Sequence, residues 1–200
     1  MKKLSEETYI VFDLETTGLS AREGDSIIEI GAVKIENGQI TDRFDELINP
    51  GKKLDSKIIE ITNITDDMLK DKPSEKEMVM KFMNWCGNLP LVAHNARFDL
   101  SFLEMAFLKY DLGSVKNTVI DTLGLSRYLE SHERYHNLAT LVKRYNIVWD
   151  EEKHHRADYD SEGTALIFYK MLKKLELNDI NSLSDLTKYR AIVIKYNSFL

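Results

Sequence analysis

Apolar and polar positions alternate in "IVFDLETTGL", residues 10–19, so that Ile10, Phe12 and Leu14 share one face of an extended strand and Val11, Asp13 and Glu15 the other. The next stretch, "SIIEIGAVKIENGQITDRFDELINP", predicts two strands near 26–36 and 39–48. Asn37-Gly38 between them is the preferred dipeptide of a type I′ turn, so the two should pair antiparallel. Helical signals follow. "SKIIEITNITDDML" offers short pieces with Ser56 and Thr65 as N-caps, and "SEKEMVMKFMNWCG" reads as a stronger amphipathic helix closed by Gly87. "PLVAHN" is a short apolar strand running into "ARFDLSFLEMAFLKY", where Phe98, Phe102, Met105 and Leu108 recur at helical spacing.

"NTVID" resembles another short buried strand. Helices near 122–130 and 137–145 follow, the second capped by Asn137. A last amphipathic helix near 159–175 turns Ala165, Phe168, Leu172 and Leu175 to the core. Three strands and then alternating helices and strands imply an α/β fold, a mixed sheet with helices packed against it. The tail begins polar and ends in the β-branched run "AIVIKY", which suits an added strand, a docking segment or a truncated continuation.

Composition narrows the class. Two hundred residues with 43% hydrophobic content support one sizeable core and one domain. The single Cys86 excludes an intramolecular disulfide and a thiolate metal cluster, which fits a reducing compartment. The start "MKKLSEETYIVFDLE" carries only a short apolar run ending in acids, unlike a signal peptide, and no stretch approaches the ~20 apolar residues of a membrane helix. The expectation is a soluble, cytoplasmic chain without a membrane partner. A net charge of −6 argues against nonspecific duplex binding over a broad basic face. It leaves room for nucleic acid met through cations held by carboxylates.

Asp13 and Glu15 point the same way, which is costly unless protons, basic partners or a metal offset the charge. Asp99 in "HNARFD" starts a helix where strand-end acids commonly converge, though an ordinary acid in a first helical turn is the plainer account. Asp160 in "HHRADYD" lies in the first turn of the last amphipathic helix, five residues after His155. A loop imidazole suits a general base, because its unperturbed pKa of ~6.5 lets it take a proton near neutral pH. His154, His155 and Arg156 as a solvated basic loop is the competing account.

"FDLETTGL", "HNARFD" and "HHRADYD", in that order and at those intervals, resemble the three motifs of the DEDD exonucleases, in the subgroup with histidine in the third motif (DEDDh). The likeness runs over roughly residues 8–175. With "IIEITNITDDML" and "VIDTLGLSRYL" it looks most like the 3′–5′ proofreading exonuclease domain of PolC-type bacterial DNA polymerase III, with epsilon-like proofreading subunits as close relatives. That resemblance implies a ribonuclease H-like α/β fold with a five-stranded mixed sheet flanked by helices. It divides the chain into an exonuclease domain over 1–176 and an extension over 177–200.

The resemblance further implies Asp13, Glu15, Asp99 and Asp160 as ligands of two Mg²⁺, with Mn²⁺ a substitute, and His155 rather than His154 as the base. In the family's arrangement Asp13 bridges both ions, Glu15 and Asp160 complete the site of the ion holding the nucleophilic water, and Asp99 acts on the second ion through water. Two such cations about 3.5–4 Å apart serve both the attacking and the leaving oxygen. The implied substrate is the 3′ end of single-stranded or frayed DNA, and the implied partner a replicative DNA polymerase. Leu14, Thr16, Thr17, Gly18, Leu19 and Ile61 would meet the terminal nucleotide, with His94, Asn95 and Phe98 lining the other side. For Ile61 core packing competes with that role, as it does for Phe98. An RNA-trimming or repair exonuclease and a non-catalytic polymerase-binding module are the alternatives.

Overall fold

The computed structural model describes residues 2–148, 150 and 156–194. The strands are β1 (Thr8–Thr16), β2 (Ile27–Glu36), β3 (Gln39–Leu47), β4 (Leu91–Ala93), β5 (Val119–Asp121) and β6 (Val193–Ile194). They form one sheet in the order β3-β2-β1-β4-β5-β6. The β1–β2 and β2–β3 pairs are antiparallel, whereas β1–β4 and β4–β5 are parallel. Asn37 and Gly38 both take positive φ, 49° and 75°, and close the β2–β3 hairpin as the dipeptide predicts.

The alternation in β1 feeds two cores. Ile10, Phe12 and Leu14 pack with Phe82 of α3 (Glu75–Cys86) and Phe102 and Leu103 of α4 (Arg97–Tyr110). On the other face, Tyr9 and Val11 pack with Leu125 of α5 (Thr122–Leu129), Leu141 of α6 (Leu138–Arg144) and Phe168 and Met171 of α7 (Ala157–Leu177). Helices thus cover both faces of a mixed sheet. Asp13 and Glu15 share the Val11 face, so β1 aims them to the side that α7 occupies.

Several expectations are corrected. The sheet has six strands rather than five, because Val193 and Ile194 pair antiparallel with Ile120 and Val119. These two β-branched residues satisfy backbone groups that β5 would otherwise present as an open edge. Residues 195 and 196 of "AIVIKY" lie outside the described residues. The first short helix, α1 (Ser56–Thr62), is capped by Asp55, whose carboxylate accepts from the Lys57 N–H; Ser56 is already helical. Thr65 caps α2 (Asp66–Leu69) as expected.

In α4 the buried stripe runs through Leu100, Leu103, Ala106 and Phe107 beside Phe102, and Leu108 is 72% exposed. Helix α7 begins two residues before the expected start and is followed by a further short helix, α8 (Leu183–Leu186). Ile180, Leu186 and Ile192 join the second core. Among the described residues no helix is long and apolar enough to cross a membrane.

Candidate active site

Strand geometry accounts for the first acid brought in from afar. Ile10 donates its N–H to the Pro90 carbonyl at 3.0 Å, so Ile10, Phe12 and Leu14 all aim their N–H groups toward β4. Along β1, β4 pairs only with Ile10 and Val11, which strands the Leu14 N–H beyond its end. Asp99 Oδ1 accepts it at 3.2 Å. Asp99 sits buried in the first turn of α4, where the helix dipole favours a carboxylate.

Asp160 arrives on α7, and β2 fixes where that helix starts. Glu29 of β2 stands opposite Glu15 of β1 and is fully buried. Its Oε1 accepts from Arg156 Nε at 2.9 Å and Nη2 at 2.6 Å, and its Oε2 accepts the Ala157 N–H at 2.9 Å. Two positions along β2, a Cβ on Gly31 would fall 2.0 Å from the Ala157 carbonyl carbon and from the Asp158 nitrogen, so only glycine lets the helix come this close. Carboxylate oxygens of Asp13, Glu15 and Asp160 thereby come within 4.8 Å of one another. Asp99 stands next to the trio without joining it at that spacing.

Burial and crowding raise the proton affinity of Asp13, Glu15 and Asp99. Burial pushes Asp13 well above the usual range, with Asp99, Glu15, Asp160 and Glu29 adding repulsion. Glu15 is pushed up to about 9, chiefly by burial, then by Glu29, Asp160 and Asp99; the Arg156 guanidinium works against this. Burial raises Asp99 to about 7, although the Leu14 N–H pulls the other way. Three converging hard oxygen donors that repel one another when ionised suit a divalent cation of the Mg²⁺ or Mn²⁺ kind.

Of the residues expected to meet substrate, Leu14 and Thr16–Leu19 lie at the end of β1, His94, Asn95 and Phe98 follow β4, and Ile61 lies on α1, with unequal exposure. Leu14 is buried, and Thr16 is buried with its hydroxyl donating to the Gly18 carbonyl at 2.7 Å. Thr17 Oγ1 accepts the Ser26 N–H and donates to Asp25 at 3.2 Å. Gly18 leaves space for the Asp25 carboxylate, which a Cβ would meet at 2.3 Å. Leu19 is 87% and Ile61 50% exposed, so the core-packing account of Ile61 is set aside. His94 is neutral: burial pushes it down to about 4, and its Nδ1 lies 2.9 Å from Thr122 Oγ1. Asn95 takes a positive φ of 64°. Phe98 is partly buried, with its ring centroid 5.1 Å from that of Phe102. His155, with His154 and Trp149, lies outside the described residues.

Sequence reasoning missed three acids that shape this edge. Asp121 at the end of β5 accepts from the Asn95, Ala96 and Leu123 N–H groups and so holds the "HNA" turn against α5. Asp25 accepts the Ser20 N–H at 3.0 Å and closes the loop after β1. Glu29 carried a signal, a lone carboxylate inside the apolar run "IIEIGAV", where a buried charge needs a partner.

A mixed sheet with an antiparallel three-stranded half, parallel central strands and acids gathered at the carboxyl ends is a ribonuclease H-like α/β fold. The chain matches the family described as Exonuclease, RNase_T, over residues 10–168, and it belongs to that family. It is 50% identical to the PolC-type DNA polymerase III of Bacillus subtilis (strain 168) over 171 residues, which is 85% of this chain but 12% of that polymerase. A structure of exonuclease X in complex with 5′ overhanging duplex DNA superposes with a TM-score of 0.66 at 26% identity, covering 82% of this chain and 91% of that one. The nuclease domain of 3′hExo, a DEDDh family member bound to rAMP, shares the fold with a TM-score of 0.72 at 18% identity, over 86% of this chain and 94% of that one.

Proposed function

We propose that this chain is a 3′–5′ exonuclease that shortens single-stranded or frayed DNA from its 3′ end, releases nucleoside 5′-monophosphates and proofreads for a replicative polymerase. The convergence of Asp13, Glu15 and Asp160 carries this reading. Two Mg²⁺, replaceable by Mn²⁺, would be held by Asp13, Glu15, Asp99 and Asp160. When bound they supply charge neutralisation at the phosphate and acidify water.

The chain's own residues do the rest. Asp13, Glu15, Asp99 and Asp160 would offer their carboxylate oxygens to the ions, and the Leu14 N–H keeps Asp99 aimed. His155 takes the proton of the attacking water as the bond to the leaving 3′ oxygen breaks. Thr16 and Thr17 meet the terminal sugar, Leu19 and Ile61 offer exposed apolar surface to the last base, and His94, Asn95 and Phe98 line the facing wall. A neutral His94 hydrogen-bonds without adding positive charge. The exonuclease unit spans 1–176 and residues 177–200 form an extension, of which Ile180, Leu186 and Ile192 join the second core.

Digestion of a 5′-labelled single strand tests the proposal, with Mg²⁺, with Mn²⁺ and with chelator, beside Asp13→Ala and a matched RNA. A ladder shortening from the 3′ end, dependent on metal and on Asp13, is expected, faster on DNA than on RNA. Intact strands in every metal condition would overturn the activity, and faster RNA cleavage would overturn the substrate.

A further inference from the structure

We propose that Glu29 and Arg156 form a positioning clamp that sets the first turn of α7 and thereby holds Asp160 against Asp13 and Glu15. The inference rests on reading those acids as the metal-holding centre, and it adds two residues that act through Asp160 rather than as ligands themselves. Helix α7 begins at Ala157 with Arg156 as its N-cap residue and no capping side chain of its own. Its first N–H groups are orphan donors in need of an acceptor. Glu29, from a different element 128 positions away, accepts the Ala157 N–H. The same carboxylate grips the Arg156 guanidinium through two nitrogens. Arg156 in turn accepts the Asp160 N–H on its carbonyl at 3.0 Å, closing the turn that carries the metal-site acid. Strand β2, the clamp and Asp160 are therefore one continuous chain of hydrogen bonds.

Glu29 is poorly placed to be a ligand itself. Both of its oxygens are engaged by Arg156 and Ala157, and it is absent from the trio whose oxygens converge. Gly31 adds the steric half of the device, since the bare backbone there seats the Ala157–Asp158 peptide directly on the sheet. Arginine rather than lysine is needed for a forked grip on one carboxylate.

Charge and position predict opposite signs for the same substitution, which makes the clamp testable. Arg156 is a cation beside a cluster that gathers cations, so by relief of Coulomb repulsion alone Arg156→Met should tighten divalent binding. If the residue positions Asp160, binding should weaken instead. In the full 200-residue chain, Arg156→Met is expected to lower Mn²⁺ affinity by calorimetry ~10–100-fold, the usual range for losing a partner that orients a ligand. On a single-stranded oligonucleotide kcat should fall while KM stays within about threefold.

Amide hydrogen exchange without metal supplies a readout independent of activity. The Ala157 and Asp160 amides should lose protection, while that of Ile10 in β1 keeps it. Arg156→Lys should fall between, and Glu29→Gln/Arg156→Met, a neutral pair that keeps an acceptor for Ala157, should regain part of the protection. Should Arg156→Met unfold, those two variants carry the same comparison. Unchanged or tighter Mn²⁺ binding together with native protection at 157 and 160 overturns the clamp. A wild-type chain that neither binds Mn²⁺ nor cuts, yet shows the exchange difference, sinks the nuclease reading and leaves the clamp standing.

Discussion

The Leu14 N–H donates to Asp99 Oδ1 at 3.2 Å, tying the strand that carries Asp13 and Glu15 to the first turn of α4 across 85 positions of sequence. One carboxylate therefore answers a backbone donor and stands beside the acid cluster at once. Asn offers an oxygen in the same place without the charge, whereas Ala leaves the buried N–H unpaired. Asp99→Ala should cost ~1–3 kcal/mol of unfolding free energy and Asp99→Asn markedly less. Both should abolish cleavage, and urea melts beside single-strand digestion check the split.

Mutual repulsion at the site sets function against stability. Asp13 carries burial and four acidic neighbours. Asp13→Asn should raise the melting temperature of chelated protein while cutting cleavage ~10²–10⁴-fold, the scale of several kcal/mol of lost transition-state stabilisation. Calorimetric melts in chelator and rates in Mg²⁺ measure the two arms. An Asp13→Asn protein less stable than the wild type would contradict net repulsion among these acids.

Gly31→Ala tests the seat of α7. The added methyl meets backbone rather than a flexible side chain, so the helix must move. A loss of ~1–3 kcal/mol from overpacking is expected, with a fall in cleavage because Asp160 travels with the helix. Gly51, with open space around its Cβ position, has no such contact to break, and the alanine variant there should leave cleavage intact.

Glu130 links stability to acid. Burial raises its carboxyl, but the Lys174 ammonium at 2.7 Å and the Arg144 guanidinium at 2.8 Å outweigh that and hold it down at about 2. A carboxylate lowered on folding contributes stability that is present above its ordinary value of 4.5 and disappears as pH falls through about 2. Urea stability should therefore drop between those pH values, and Glu130→Gln should flatten that limb.

Removal of residues 177–200 should destabilise the rest of the chain. Ile180, Leu186 and Ile192 leave the second core, each worth at most ~1.5–3 kcal/mol of apolar burial, and β5 loses its outer partner. Gly124 packs against this segment as well, since a Cβ there would meet the Ala191 carbonyl at 1.9 Å. Chemical denaturation of the truncated chain measures the loss.

Local patterns made most of this molecule legible. Period-two alternation predicts β1 and its two faces, Asn37-Gly38 predicts the hairpin, and Gly87 and Asn137 mark helix ends where the structure has them. The motif acids were legible as a set only through the resemblance that their three short motifs carry. Helix α4 shows the limit. Leu108 fits a helical repeat as well as Leu103 does, but only the neighbouring sheet decides which stripe is buried.

By itself the sequence determined which residues are charged, which stretches alternate and where the chain can turn, because these depend on neighbours a few positions apart. Only the tertiary structure decided that Asp13, Glu15 and Asp160 meet, that Asp99 answers the Leu14 N–H, and that Glu29 holds the start of α7. Strand register and the approach of a helix to a glycine join positions far apart in sequence, as Ile10 with Leu91 and Gly31 with Ala157. Such contacts depend on how the elements pack together, which no short window of sequence contains.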